Sequence, residues 1–180
     1  YTNTEGSPTC LRTEPGKQAN GDKTGQVDCA EGETSEPGGV CEACFPGFHA
    51  SAAGSPRCSP AEPGYYVSGG DRTKQIQCDE GRYSPGPGAS ECLDCALGTY
   101  AESEQSERCT PAKPGWYVDE KGASAEKECK RGTYTDTEGQ SSCLDARPGY
   151  YVSDDGTSPC RSRYFTSPST STPSTRRPRR

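Results

Sequence analysis

Twelve cysteines are the residues of this 180-residue chain with the most chemistry to offer. They could form disulfides, hold zinc or cycle as a redox pair. Cys41-x2-Cys44 and Cys92-x2-Cys95 have the short spacing of zinc and redox motifs. A structural zinc, however, needs four ligands brought together, and His49 is the sole histidine. A redox pair needs a thioredoxin-like βαβ setting, which neither pair has. No metal and no cofactor are therefore expected. Nucleophilic catalysis needs a base oriented by a third group, and His49 stands in a repeating packing position instead. No catalytic residue is assigned, and the chain reads as a non-enzyme. Asp79-Glu80 and Asp154-Asp155 lack the spacing of a calcium loop and read as solvated turns.

The elements that must position these cysteines are repeats. Gly47, Gly64, Gly81, Gly98, Gly115, Gly132 and Gly149 follow one another at 17 residues. Two residues after each stands His49, Tyr66, Tyr83, Tyr100, Tyr117, Tyr134 or Tyr151. The cysteines keep the same frame, as Cys-x2-Gly-x-Tyr-x8-Cys-x2, in Cys44–Cys58, Cys78–Cys92, Cys95–Cys109 and Cys129–Cys143. Two units lack both: Ala61 and Gln75 replace them in one, Ala112 and Glu126 in the other. These units share Ala-Glu-Pro-Gly-Tyr-Tyr-Val from Ala61 and Ala-Lys-Pro-Gly-Trp-Tyr-Val from Ala112, a motif that returns from Ala146. Two stapled units and one unstapled unit make a super-period of 51 residues.

Joint loss of both cysteines argues that they are partners. The expected disulfides are Cys44–Cys58, Cys78–Cys92, Cys95–Cys109 and Cys129–Cys143, with Cys29–Cys41 as a shorter unit. Cys143–Cys160 is the alternative, and it would strand Cys129. Cys10 and Cys160 lack an in-frame partner and are expected to be unpaired, bonded to each other or bonded to another copy. A closed loop of about 15 residues is worth roughly 3 kcal/mol in the chain-entropy model.

Such staples are needed. Only 28% of residues are hydrophobic and the mean hydropathy is -1.00, too little for a conventional core. Disulfides at this density imply an oxidising compartment. The net charge is -6, with six arginines and no acids after Cys160. Setting those six aside leaves 14 basic against 26 acidic side chains, which argues against nucleic acid as a partner. No run of 18 apolar residues could span a membrane. Without methionine or a signal peptide, the chain reads as a processed product, a fragment or part of something longer.

Glycine before an aromatic predicts a tight turn into a short strand, so each unit reads as an irregular β-hairpin closed by its disulfide. The fold class is a small disulfide-rich repeat, an elongated rod of hairpins with little or no helix. Ala123–Lys130 is its most helix-like stretch. With two strands per unit at about 4.8 Å, each unit would advance the rod by roughly 10 Å. Residues 1–160 form the array and 161–180 a tail. Units of the form Cys78 to Cys95, Cys-x2-Gly-x-Tyr-x8-Cys-x2-Cys, resemble the cysteine-rich repeats of ephrin-receptor-like ectodomains. They are similar, too, to the simplest module of tumour-necrosis-factor-receptor cysteine-rich domains. The resemblance implies an extracellular module and carries over no binding residue.

The tail holds Thr166, Ser167, Ser169, Thr170, Ser171, Thr172, Ser174 and Thr175 around two prolines. It reads either as an O-glycosylated stalk or as an unmodified linker. Arg176, Arg177, Arg179 and Arg180 offer a processing site or an acidic-surface contact, and more plainly a solvated terminus. Tyr65, Trp116 and Tyr150 are the surface candidates, each preceding the repeat tyrosine. They could stack on sugars or associate laterally; the plainer reading is that the doublets replace the lost disulfide by apolar packing. The function expected is a structural or adhesive extracellular rod, stalk or fibre, meeting protein (copies of itself included) or glycan. The alternative is a receptor ectodomain fragment that binds a protein ligand.

Overall fold

The computed structural model describes residues 10–152, 156–157 and 161–162. Cys160, the Ser/Thr positions of the tail and its arginines lie outside the described residues, as do Asp154 and Asp155. Each unit begins with a four-residue turn. In unit 61–77 the Tyr65 N–H donates to the Glu62 carbonyl at 3.0 Å across Pro63-Gly64. Proline fixes the second residue of such a turn, and Gly64 (φ +80°) supplies the left-handed third, the pattern of a type II turn. The turn launches Tyr65–Tyr66, which pairs antiparallel with Ile76–Gln77. The same hairpin recurs nine times among the described residues, from Lys17–Ala19 with Gln26–Asp28 to Tyr150–Tyr151 with Arg161–Ser162. No helix occurs among them; the helix-like stretch at Ala123–Lys130 contributes the strand Lys127–Glu128 instead.

The molecule is thus a disulfide-rich repeat of short hairpins. The strands of successive hairpins do not pair edge to edge, because every sheet has two strands. This corrects the expected advance of two strand spacings per unit. Units are joined by turns and loops. Between units 61–77 and 78–94, Gly64 N–H donates to the Ser84 carbonyl (2.9 Å) and Val67 N–H to that of Ala89 (2.9 Å). Gly88 N–H then returns to the Ala61 carbonyl (2.8 Å). The next joint repeats the set, with Gly81 to Ala101, Ser84 to Ser106 and Gln105 to Cys78.

Each unit also meets the unit after next. A side chain on Gly47 would overlap the carbonyl of Gly88; on Gly81, that of Gly122; on Gly98, that of Gly139. The turn glycine is therefore required twice, by its positive φ and by a backbone carbonyl occupying the space of its missing Cβ.

The core is a narrow column of small side chains. Cys44, Ala61, Cys78, Cys95 and Ala112 are buried at the first-cysteine position. After the repeat tyrosine, Ala50, Val67, Ser84, Ala101, Val118 and Thr135 are buried as well. Thr135 places its hydroxyl usefully, accepting from Gly115 N–H at 2.8 Å and donating to the Trp116 carbonyl at 3.2 Å. With so little apolar volume available, backbone bonds and covalent staples must carry the fold.

Candidate functional site

Five disulfides close the stapled units: Cys29–Cys41, Cys44–Cys58, Cys78–Cys92, Cys95–Cys109 and Cys129–Cys143. Each joins the two cysteines of one unit, with Cα–Cα separations of 5.4–5.8 Å. Cys143 is thus committed to Cys129 rather than to Cys160. Cys10 is free and exposed. The cysteines of Cys41-x2-Cys44 and Cys92-x2-Cys95 are bonded away from each other. Among the described residues no three His, Cys, Asp or Glu side chains converge as for a metal.

Where the cysteines are missing, a polar latch takes their place. Gln75, at the second-cysteine position, accepts the Glu62 backbone N–H at 2.8 Å, and its amide donates to the Glu62 carboxylate at 3.2 Å. Glu126 does the same in unit 112–128. One oxygen accepts the Lys113 N–H at 2.9 Å and the other pairs with the Lys113 ammonium at 2.8 Å. A third latch lies at the start of the array, where Gln26 accepts the Glu14 N–H at 3.0 Å. Residues 13–28 therefore form a further disulfide-free unit that the spacing did not reveal. Its signal was available, since Thr13-Glu14-Pro15-Gly16 parallels Ala61-Glu62-Pro63-Gly64.

The latch changes the reading of the aromatic doublets. Tyr65 and Trp116 are half-buried on strands, opposite Gln77 and Glu128. Tyr150, opposite Ser162, is 46% exposed. The Lys113 ammonium lies 4.3 Å from the centre of the Trp116 ring, a cation–π contact. What stands in for the lost disulfide is thus a hydrogen-bonded side chain with an ion pair or amide, not aromatic packing alone. Phe48 shares the column of Tyr65 and Trp116 and was not singled out by its sequence, because its unit is stapled and His49 follows it. His49 itself is half-buried, its Nδ1 shielded and without a hydrogen-bond partner.

The electrostatics are those of surface pairs. The Lys113 ammonium is held above its usual pKa, first by its hydrogen bond to Glu126. Lys127 is pushed up to about 12 by hydrogen bonds to Asp119 and Glu120, at 2.7 and 3.1 Å. Burial raises the Tyr100 phenol, with the Glu126 charge next in effect. Arg82 bonds the Asp94 carboxylate at 2.9 Å and the Cys92 carbonyl at 2.6 Å, bracing one stapled hairpin.

With these units in place, comparison with known proteins is informative over one segment. Residues 81–129 match the family model of tyrosine-protein kinase ephrin type A/B receptor-like repeats. That segment, spanning all but the first three residues of stapled unit 78–94, the full stapled unit 95–111 and the latched unit 112–128, is a cysteine-rich repeat of the ephrin-receptor-like kind. No curated protein matches the chain. No helix among the described residues is long and apolar enough to cross a membrane.

Proposed function

We propose that this chain is an extracellular, non-catalytic structural or adhesive repeat protein, serving as a rod, stalk or fibre component of a surface or matrix. The observation that carries this reading is the uniform joint. The same set of backbone hydrogen bonds recurs between successive units, short of one bond where unit 61–77 follows 44–60, and the same column of small residues runs through them. A quasi-one-dimensional array of this kind suits a scaffold more than a reaction site. Five disulfides stabilise a chain with little core and suit an oxidising, extracellular setting.

Partners on this reading are copies of the chain or glycans, met through the aromatic positions Tyr65, Trp116 and Tyr150, of which Tyr150 is exposed. The ephrin-receptor-like segment favours a second reading, a receptor ectodomain whose array holds or presents a protein ligand. Small-angle scattering separates a rod from a globule, and sedimentation over a concentration series tests self-association. An elongated particle that associates with itself is the expected result. A compact sphere would overturn the rod, and a strictly monomeric rod would move the assignment to the receptor reading.

A further inference from the structure

Two kinds of unit alternate along the array, and they differ in how they can lengthen. In a stapled unit the disulfide joins the first and last strand regions, so tension along the chain bypasses the 13 residues between the cysteines, as from Cys78 to Cys92. In a latched unit the second-cysteine position is held without a covalent bond, by the residue after the first-cysteine position: Gln26 on Glu14, Gln75 on Glu62 and Glu126 on Lys113. We propose that the disulfide-free units are reversible joints, at which the array opens and recloses without thiol chemistry while the stapled units between them hold their length. Such joints would serve a load-bearing rod and a receptor stalk alike, so the inference goes beyond the function proposed above.

The structure also ranks the joints. In most units the loop donates one backbone bond, a pin, to the first position of the preceding unit: Gly54 to Cys29, Gly88 to Ala61, Gln105 to Cys78, Gly122 to Cys95 and Gly139 to Ala112. Gly122 gives unit 112–128 this pin, at 2.9 Å. In unit 61–77 the corresponding residue is Asp71, and among the described residues no such bond reaches Cys44. The Asp71 carboxylate instead accepts from the N–H and hydroxyl of Thr73, turning the loop back on itself at 3.0 and 2.7 Å. Unit 61–77 thus lacks the staple and this pin together, while its loop keeps the bond from the Ala50 N–H to the Arg72 carbonyl at 3.0 Å. Its latch is also an amide, whereas that of unit 112–128 is a carboxylate with an ion pair and a ring-stacked lysine. Of these two joints, 61–77 should open first and 112–128 at higher load. Local units of low stability open ahead of the whole in this way.

Force spectroscopy on the non-reduced full chain, tethered at its ends, tests the proposal. Freeing one latched unit of 17 residues adds at most about 60 Å of contour. The expected trace has separate reversible steps of no more than that size, without reductant. Ala61→Cys with Gln75→Cys, its new disulfide verified by mass, should abolish the step of unit 61–77, the first of these two, and leave the others. Should that disulfide not form, Gln75→Ala serves, lowering the force of that step alone. Rupture of the whole array in one event would overturn the proposal. So would a 61–77 step that persists in the verified disulfide variant, or one indifferent to Gln75→Ala.

Discussion

Glu126 holds Lys113 twice, through the backbone N–H at 2.9 Å and through the side-chain ammonium at 2.8 Å. The two residues occupy positions flanking the unit's hairpin, where a neighbouring unit has a covalent bond. Glu126→Gln keeps the backbone acceptor and removes the charge, reproducing the Gln75 latch. Glu126→Ala removes both. The first variant is expected to leave thermal stability nearly unchanged and the second to lower it measurably. Trp116, the only tryptophan, carries Lys113 on its ring, so its fluorescence should respond to either change. Equal melting curves for Glu126→Ala and the parent would remove the latch from the account of this unit.

The neutral latch allows a cleaner magnitude. Gln75→Ala leaves the Glu62 N–H without its partner. A side-chain-to-backbone bond is worth about 1 kcal/mol net, and solvent access at this site limits the loss to that order. Chemical denaturation with hydrogen exchange at Glu62 would measure it; unchanged protection there would refute the assignment.

The Lys127 cluster sets a pH window. Its folded pKa, about 12, lies above the ordinary 10.5, so its contribution is complete below about pH 10.5 and is lost as pH rises through 12. Asp119 is lowered from 3.8 by its hydrogen bond to Lys127, so its contribution is complete above pH 3.8 and is lost as pH falls through the lower folded value. Both groups are at the surface, so the effect is small and salt-sensitive. Melting temperatures of the parent and Lys127→Met should differ most between about pH 4 and 10 and draw together towards both ends of a scan from pH 3 to 12. A constant offset across the range would show that Lys127 acts through packing.

Removing one staple is expected to cost more than removing a latch. Cys78→Ala with Cys92→Ala should lower stability by about 2–4 kcal/mol, the usual worth of such a bond. Peptide mapping of the non-reduced parent should recover the five within-unit pairs. A Cys44 peptide bonded outside its own unit would contradict the structure.

Much of this architecture was legible in the residues because the chain has so little core to hide it. Turn glycines and tyrosines recur at fixed spacing since each performs a local task, a left-handed turn and a strand side chain. What escaped was non-local or polar. Gln75 and Glu126 stood out only as absent cysteines, because the backbone N–H that each accepts is invisible to spacing. Unit 13–28 carries Gln18 where tyrosine belongs, and Gly16 stands 16 residues before Gly32, out of the 17-residue frame. The loop glycines Gly54, Gly88, Gly122, Gly139 and Gly156 keep the frame, but Asp71 and Gln105 interrupt them. Gln105 nevertheless adopts φ +60°, so the backbone conformation persists where the residue type does not. Nothing in a 17-residue period announces that a glycine faces the carbonyl of the unit after next.

That long-range contact yields the sharpest test. Three glycine-to-alanine changes separate its effects. Gly86 has open space and no positive φ, so Gly86→Ala should stay within about 0.5 kcal/mol of the parent. Gly132 has φ +85° and open space among the described residues, so Gly132→Ala should cost about 1–2 kcal/mol of backbone conformation alone. Gly81 has φ +78°, and its Cβ would overlap the Gly122 carbonyl, an atom fixed by the hydrogen bond from Gly122 N–H to Cys95. Gly81→Ala must therefore pay the conformational cost and also displace unit 112–128 from unit 78–94. Its loss should exceed that of Gly132→Ala, and the disturbance should reach Trp116, which lies in the displaced unit. Denaturation followed by far-ultraviolet dichroism and by Trp116 fluorescence measures both effects. If Gly81→Ala and Gly132→Ala proved equally destabilising, with Trp116 unmoved, contact between alternate units would contribute nothing, and the array would be held by nearest neighbours alone.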